Sequence, residues 1–327
     1  MKRKIIKQGH NTLTLTLPSK WAKKHGVKYG DEIDVTEQGK TLFISAESRS
    51  DMSKTTVDIS GIESSIVIWR YILSAYRAGY EEIIVTGIEP SKKEIYTPFT
   101  YNTLNYLKPD NFATMSPIET VSACVNRLIG MEIVEQGTKY CIIKDMGETS
   151  HKEFDSALKR MFLLLRTEAE IISNGLEGQN EPLKSIHIID TNLDRFEDFC
   201  LRVLNKKGYK DFRKTSIIYN TVFTLEIMGD EFKKIARHLL EMKENHSSAL
   251  KKIFKSQYDQ LQRFYMMFYK FDKRRVQDIY IENENSINLA KQMFKKLNQE
   301  EIALVHHFNK IGSGILSLTE LKIDLES

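Results

Sequence analysis

The sequence predicts a multi-domain protein with a β-rich domain at 1–47, a small α/β domain at 54–146 and an all-α domain at 150–327. Three observations support this fold class. Threonine and leucine alternate at Thr12–Leu17, which is the period of a strand. Strand and helix patterns then alternate through the middle of the chain, and helical periodicity dominates after Ser150. A length of 327 residues suits two or three domains.

The composition is that of an ordinary globular chain, with 41% hydrophobic and 28% charged residues. The three cysteines, Cys124, Cys141 and Cys200, form no CxxC pair, which argues against a disulfide framework and a zinc finger. No apolar run is long enough to span a membrane, and residues 1–20 lack the core of a signal peptide. We therefore expect a cytoplasmic protein without membrane insertion.

The first domain is predicted to contain two hairpins around a short helix. Gly9-His10-Asn11 and Gln38-Gly39-Lys40 have the composition of turns. Pro18 cannot donate to a strand ladder, so it ends the alternating strand and suits the start of a helix at Ser19–His25. A strand at Glu32–Thr36 then begins the second hairpin.

This domain is strongly basic at its start. Residues 1–28 hold eight lysines and arginines and no acidic residue, although the whole chain has a formal charge of only +4. A local basic excess on a folded unit indicates a polyanion partner. The alternative is a solvated basic module without a role in nucleic-acid binding.

Several short motifs follow one another here in a defined order. They are Arg3-Lys4-Ile5, Gly9-His10-Asn11, Leu15-Thr16-Leu17-Pro18, Trp21-Ala22, Gly26-Val27 and Gly30-Asp31-Glu32-Ile33. This series resembles the AbrB/SpoVT/MazE family of swapped-hairpin DNA-binding domains. The resemblance implies a swapped-hairpin β-barrel made by an obligate homodimer, which agrees with the small core that about 45 residues can bury alone.

Double-stranded DNA is the partner that this resemblance implies. The side chains predicted to carry DNA affinity are Arg3, Lys4, Lys7, Lys20, Lys23 and Lys24. Arg3 is the best candidate for reading a base, because arginine can donate to two acceptors on guanine.

The middle segment has the element order β-α-β-loop-α-β-β, which predicts one sheet covered by two helices. Its loop, at 88–117, holds four of the six prolines and the tyrosines Tyr96, Tyr101 and Tyr106. These tyrosines could stack on bases, but a packed, partly exposed loop is the more common arrangement. Because no phosphate-binding glycine loop and no catalytic constellation is present, we interpret this segment as a coupling or regulatory module.

The last segment is predicted to hold six long amphipathic helices joined by short turns. Such a pattern indicates a bundle, or two stacked three-helix units. The predicted helices are Glu153–Leu176, Leu183–Leu204, Phe212–Met242, His246–Phe271, Asp272–Leu297 and Glu300–Asp324.

The third of these helices contains Leu225-Glu226-Ile227-Met228-Gly229-Asp230, followed by Ile235-Ala236. This motif resembles the Leu-Glu-x-x-Gly-Asp…Ile-Ala signature of the PhoU family of phosphate-signalling proteins, and Ile188–Asp194 is similar to the family's preceding helix. The resemblance covers roughly Ser150–Ser327. It implies two three-helix repeats, regulation of phosphate uptake and, in many members, metal ions on carboxylate clusters. The combination of these two domains in one chain resembles archaeal phosphate uptake regulators.

Four carboxylates of this segment are spaced for metal binding. Asp190 and Asp194 are four residues apart on one helix, as are Glu226 and Asp230 on the next, so each pair shares a helix face. Like charges repel at that spacing unless a cation lies between them. Facing pairs would offer hard oxygen ligands to Mg²⁺, Mn²⁺, iron or Zn²⁺. The alternative is a set of solvated carboxylates near lysines such as Lys233.

The second repeat departs from this pattern. The residues in the places of the four carboxylates are Glu284, Asn288, Asn309 and Ser313. With a single acid left, at most one of the two metal clusters is expected. His306 and His307 are expected to be surface or core side chains rather than ligands.

We therefore expect a dimeric, DNA-binding transcription regulator of phosphate uptake with a helical sensor half. The sequence shows neither a nucleophile–base pair nor a nucleotide-binding loop, so it gives no indication of an enzyme. One alternative is an adaptor that docks on phosphate transporter components or a signalling partner, with the basic domain serving dimerisation only. Another is an antitoxin-like protein whose C-terminal half grips a toxin.

Overall fold

The chain forms two compact units, Met1–Met52 and Ser53–Ser327. The computed structural model describes residues 2–38, 41–46, 53–89, 95–97, 113–147, 151–242 and 246–327. Within the second unit we call 53–147 the α/β part and 151–327 the helical part, since each has its own cluster of buried apolar side chains. The predicted division into three domains at 1–47, 54–146 and 150–327 stays a prediction.

The first unit consists of two hairpins and a short helix. Its elements are β1 (Ile5–Gln8), β2 (Thr12–Leu15), α1 (Ser19–Lys24), β3 (Asp34–Gln38) and β4 (Thr41–Ser45). Gly9, with φ +71°, allows the turn from β1 to β2, and Gly26, with φ +69°, follows the end of α1. The hairpins are antiparallel, with Ile5 opposite Leu15 and Asp34 opposite Ser45.

The core of this unit is incomplete. None of its side chains that the structure describes is fully buried. The strands pair only as β1 with β2 and β3 with β4 among the described residues, so the predicted closed barrel is not shown. The turn predicted at Gln38-Gly39-Lys40 lies mostly outside the described residues.

The α/β part has the predicted order of strands and helices. Its elements are β5 (Lys54–Asp58), α2 (Ser65–Arg77), β6 (Glu82–Thr86), β7 (Ile95–Thr97), β8 (Ala113–Met115), α3 (Pro117–Val125), β9 (Met131–Gln136) and β10 (Tyr140–Asp145). The main sheet has the strand order β5-β6-β10-β9, with β5 and β6 parallel and the other pairs antiparallel.

The short β7–β8 hairpin lies in the segment that the sequence predicts as a loop. The four prolines of that segment disfavour strands, so the sequence predicts a loop and misses the two short strands. Of the three loop tyrosines, Tyr96 lies in β7, whereas Tyr101 and Tyr106 lie outside the described residues.

The two helices of the α/β part form its core with the sheet. Ile68, Ile72 and Tyr76 of α2 are fully buried with Val121 of α3. The start of α3 is fixed by a capping box, in which the Ser116 hydroxyl accepts from the amide of Glu119 and the Glu119 carboxylate accepts from the amide of Ser116.

The helical part contains six long helices. They are α4 (His151–Leu176), α5 (Ile186–Lys207), α6 (Thr215–Glu241), α7 (Ser248–Tyr269), α8 (Lys273–Met293) and α9 (Gln299–Glu326). All six predicted helices are observed, with ends shifted by a few residues. One cluster of buried apolar side chains includes residues from all six helices, and α6 packs against α9. No helix in the described part of the chain is both long and apolar enough to cross a membrane.

Candidate functional site

The first unit presents a basic surface. All six side chains predicted to contact DNA are exposed: Arg3, Lys4, Lys7, Lys20, Lys23 and Lys24. The three lysines of α1 are spaced i, i+3 and i+4, so they share one face of the helix. This surface suits a polyanion, and the assignment of individual residues to DNA contacts stays a prediction.

The same unit exposes apolar side chains on both of its hairpins. Leu13 and Leu15 of β2 are 70% and 47% exposed, and they point to one face because they are two residues apart. Val35 of β3 and Leu42 of β4 are 59% and 60% exposed. The described apolar side chains of both hairpins are therefore left uncovered within this unit.

The four carboxylates predicted to bind metal come together inside the helical part. Asp190 and Asp194 lie on α5, Glu226 and Asp230 lie on α6, and Glu168 of α4 joins them. We call these five residues the acidic interior. Asp190 and Glu168 are buried, whereas the Asp230 side chain is 38% exposed. The structure therefore does not agree with a fully solvated acidic face.

Protein cations contact most of these acids. The Lys233 amine lies 2.7 Å from Asp190 Oδ2 and 2.7 Å from Asp230 Oδ1. The Arg127 guanidinium of the α/β part lies 2.8 Å from Asp194 Oδ2. The Glu168 carboxyl oxygens are buried and have no hydrogen-bond partner among the described residues.

Burial changes the protonation of the interior. Burial, together with the neighbouring Asp190, holds the pKa of Glu168 well above its usual value, so burial favours the neutral form of this carboxyl. Burial and then Asp230 and Asp190 raise the pKa of Glu226 to about 7. Burial works against the charge of Lys233, but the two aspartates outweigh it and raise the pKa of the Lys233 amine.

The acidic interior does not fit a metal ion as its side chains are arranged. Among the residues that the structure describes, no group of three or more acidic, histidine or cysteine side chains could hold an ion. The oxygens of Asp190 and Asp230 that face each other already share the Lys233 amine. The predicted metal set of Asp190, Asp194, Glu226 and Asp230 stays a prediction that this arrangement does not favour.

Helix α5 continues this acidic pattern toward the α/β part. Arg77, the last residue of α2, donates from Nε to Asp198 Oδ1 at 2.6 Å and from Nη2 to Glu197 Oε2 at 2.7 Å. Both carboxylates are buried. Arg195 of α5 also donates to the carbonyl oxygen of Arg127 at 3.1 Å.

The second half of α5 is basic and meets acids of the α/β part. Arg202 donates to the Tyr76 carbonyl and to Asp145 Oδ2, each at 2.7 Å, and its guanidinium lies 4.8 Å from the centre of the Tyr76 ring. Lys206 lies 2.6 Å from Glu81 Oε1. Gly79, with φ +95°, allows the close approach, because a Cβ there would lie 3.2 Å from Lys206 Cβ.

Comparison with protein families identifies the first unit. Residues 6–50 match the MazE family model, described as "Antidote-toxin recognition MazE, bacterial antitoxin". This match confirms the resemblance that the N-terminal motifs predict. It covers the MazE-type unit and not the rest of the chain. Comparison with curated proteins finds none that matches this sequence.

Among solved structures, the chain is similar to two PhoU proteins. One is the phosphate transport system regulatory protein PhoU from Streptococcus pneumoniae, at 18% identity and a TM-score of 0.42, and the other is PhoU from Pseudomonas aeruginosa, at 20% identity and a TM-score of 0.43. Each similarity covers 54% of this chain and 96% of the PhoU chain.

Helices α7 to α9, which the sequence predicts as a second repeat, hold buried amides. Gln257 of α7 is buried and donates to the Ser286 hydroxyl at 2.7 Å. A Cβ on Gly312 would meet Gln257 Oε1 at 2.8 Å and Asn283 Oδ1 at 3.0 Å, so α9 approaches α7 and α8 closely. This cluster is polar and carries no formal charge.

The buried face of α8 can be compared with that of α5. The buried positions of α5 include Ile186, Asp190 and Leu193, and α8 buries residues at the same spacing, Ile279, Asn283 and Ser286. The predicted counterparts Glu284 and Asn288 are both exposed, so they do not share the buried position of Asp190, and their correspondence stays a prediction.

His307 has a defined partner. Its Nδ1 lies 2.6 Å from Oε2 of the buried Glu231 on α6, and its ring packs edge-on against His238 at a centroid distance of 5.1 Å. Glu231 also accepts from Lys234. His307 thus links α9 to α6.

Sequence reasoning missed Glu168, Arg77 and Arg127. The two arginines reach partners more than 60 residues away, so no local spacing connects them. A signal for Glu168 is present: it falls three residues after Leu165 and four before Ile172, inside the apolar stripe of α4. A charged residue in such a stripe indicates a buried group.

Proposed function

We propose that this protein is a DNA-binding transcription regulator that acts as a homodimer through its MazE-type unit. The observation that carries the proposal is the family match at residues 6–50, on a unit whose basic side chains are exposed. Domains similar to this one bind DNA as dimers, and an exposed basic surface supplies the electrostatic part of such binding.

The incomplete core of the first unit supports the dimer. No described side chain of the unit is buried, and apolar residues of both hairpins, such as Leu13 and Leu42, are exposed. A second copy would cover these faces, which is how interlocked hairpins obtain a shared core. DNA binding and dimerisation are therefore parts of one proposal.

The link to phosphate uptake rests on the motif at Leu225–Asp230 and on the six-helix order of the helical part. We propose that the second unit reports the phosphate state of the cell to the DNA-binding unit, without enzymatic activity of its own. Sequencing DNA fragments that co-purify with the protein, with and without phosphate starvation, tests this link. Enrichment of phosphate-uptake promoters supports it, and random fragments under both conditions contradict it.

Salt dependence of DNA binding tests the main proposal. Replacing Lys20, Lys23 and Lys24 by alanine should weaken binding to duplex DNA. It should also reduce the slope of log K against log salt by about one for each phosphate that is no longer neutralised. Fluorescence anisotropy with a labelled duplex at several salt concentrations gives the slope.

A matched control uses three lysines close together on α7, namely Lys251, Lys252 and Lys255. Their replacement removes the same charge from the chain and should leave the slope unchanged. Equal effects of the two triple variants would assign binding to total charge. Retention without any dependence on salt would favour the adaptor, in which the basic unit serves only dimerisation.

The match of residues 6–50 to an antitoxin family also favours a second candidate function, an antitoxin that recognises a protein toxin. In that case a small protein should co-purify in a fixed ratio, and its expression without this chain should stop growth. A regulator of phosphate uptake would purify without such a partner.

A further inference from the structure

The carboxylates of α5 form one continuous stripe. Asp190, Asp194, Glu197 and Asp198 follow one another at intervals of four, three and one residues, which places them on one side of the helix. Isolated buried carboxylates are costly, so each charged member needs a counter-charge or a metal ion close by.

Side chains from three helical regions provide those counter-charges. Lys233 comes from α6, Arg127 follows α3, and Arg77 ends α2. Each of these three cations contacts two acids: Lys233 contacts Asp190 and Asp230, Arg127 contacts Asp194 and Asp198, and Arg77 contacts Glu197 and Asp198.

Further contacts hold the two arginines in place. The Arg127 guanidinium lies 5.6 Å from the centre of the buried Trp69 ring, and the Arg127 carbonyl accepts from Arg195. The Arg77 carbonyl accepts from Asn205 Nδ2 at 2.7 Å. Both arginines are therefore held at the backbone, so their guanidinium groups are placed on the acids by the fold.

A metal ion and the Lys233 amine cannot occupy the same place. A divalent ion binds carboxylate oxygens at about 2.0 to 2.6 Å, closer than the amine lies, and it would meet a fixed positive charge. Binding between Asp190 and Asp230 therefore requires that Lys233 leave.

We infer that Lys233, Arg127 and Arg77 take the place of metal ions in this protein, as built-in counter-cations of the acidic stripe on α5. The disagreement between the carboxylate motif and the absence of a metal-holding group among the described residues is explained by these three side chains. Since two of them belong to the α/β part, the acidic stripe is also the place where that part is attached. A metal ion bound to the stripe would therefore compete with the side chains that attach the α/β part.

Titration of the full chain with Mn²⁺, followed through the electron paramagnetic resonance signal of free Mn²⁺, tests this inference. Wild-type protein should leave the added ion free. The Lys233→Gln variant should take up about one ion per chain, because Asp190 and Asp230 lose their shared cation. The double variant Lys233→Gln with Asp190→Asn should lose that uptake.

Lys234→Gln is the matched control. Lys234 is the next residue on α6 and contacts Glu231 at 2.8 Å instead of the acidic interior, so this variant should behave as the wild type. Thermal unfolding provides a second readout: Mn²⁺ should raise the melting temperature of Lys233→Gln and leave those of the wild type and Lys234→Gln unchanged.

Two results would overturn the inference. One is an ion bound by the wild type and lost with Asp190→Asn, since the site would then be a metal site beside Lys233. The other is a folded Lys233→Gln protein that binds no ion. If Lys233→Gln does not fold, Arg127→Gln, which removes the cation beside Asp194, is titrated in its place and judged by the same two results.

Discussion

Glu168 lies in surroundings very different from those of a glutamate in water. It lies in the apolar stripe of α4, is fully buried, and has no hydrogen-bond partner among the described residues. Burial, with Asp190 nearby, holds its pKa well above the usual value. The folded protein therefore keeps this carboxyl protonated where the unfolded chain, with a pKa near 4.5, has lost the proton.

The sign of the resulting pH dependence follows from proton binding. Because the folded state binds the extra proton, the free energy of unfolding should decrease as pH rises from about 4.5 toward the folded pKa of Glu168. Glu168→Gln cannot ionise, so it should remove this part of the decrease. Urea unfolding of both proteins at pH 5 and pH 8 checks the prediction: the variant should gain stability relative to the wild type at the higher pH.

Glu170→Gln is the control, because Glu170 lies two residues later on α4 and is exposed. It should show the pH dependence of the wild type. An identical pH dependence for Glu168→Gln and the wild type would mean that Glu168 is ionised in the folded state.

At the level of elements, α5 is shared by the two parts of the second unit. It packs between α4 and α6 on one side and contacts α2 on the other. Its acids lie toward the N-terminus and Arg202 and Lys206 toward the C-terminus, which also matches the direction of the helix dipole. The α/β part presents arginines to the acids of α5 as far as Asp198, and it presents acids to Arg202 and Lys206.

Removing one charge from this pattern should be costly. Arg202→Met removes the 2.7 Å partner of Asp145, whose side chain is 8% exposed, and leaves it the longer contacts to Lys206 at 3.3 Å and to the amide of Gly147 at 3.2 Å. We expect a loss of about 3 kcal/mol in the free energy of unfolding, as for a buried ion pair that loses one partner. Chemical denaturation followed by circular dichroism measures it.

Arg213→Met is the comparison for this variant. Arg213 also pairs with an aspartate, Asp211, but its side chain is 88% exposed. Its replacement should change stability far less than Arg202→Met does, because water screens exposed pairs. Equal losses in the two variants would show that burial of Arg202 adds nothing.

At the scale of the whole molecule, assembly should depend on the first unit. Leu13→Asp places a charge on an apolar strand face that we propose a second copy covers. It should weaken dimer formation by about 100-fold, equivalent to about 3 kcal/mol, and reduce DNA affinity with it. Analytical ultracentrifugation over a concentration series measures the association.

Ile281→Asp serves as the control for assembly. Ile281 lies on α8 and is 48% exposed, so the substitution is chemically similar but lies far along the chain from the first unit. Its sedimentation should equal that of the wild type. A monomeric Ile281→Asp protein would place the dimer contact on the helical part instead.

The elements of this fold follow from local sequence, and the acidic interior follows only in part. Strand alternation at Thr12–Leu15 and the period of the six helices are local signals, so they predict elements within a few residues. The spacing of Asp190 and Asp194 predicts a shared face. What neutralises that face depends on Arg127 and Arg77, which tertiary packing brings in from distant helices.

In α8, the predicted counterpart of Asp190 is Glu284, which is exposed, whereas the neighbouring Asn283 is buried. Packing decides which of two neighbouring helix residues faces inward, and local sequence does not show it.

The reversal of charge along α5 limits how this architecture can be recombined. The division of the chain at Met52 and Ser53 separates the MazE-type unit from the other two parts. A new module in place of the α/β part would expose buried Glu197 and Asp198 without their arginine and leave Arg202 without its aspartate. Replacing the α/β part therefore requires that α5 be redesigned with it. The α/β part and this helix must change together in evolution or design.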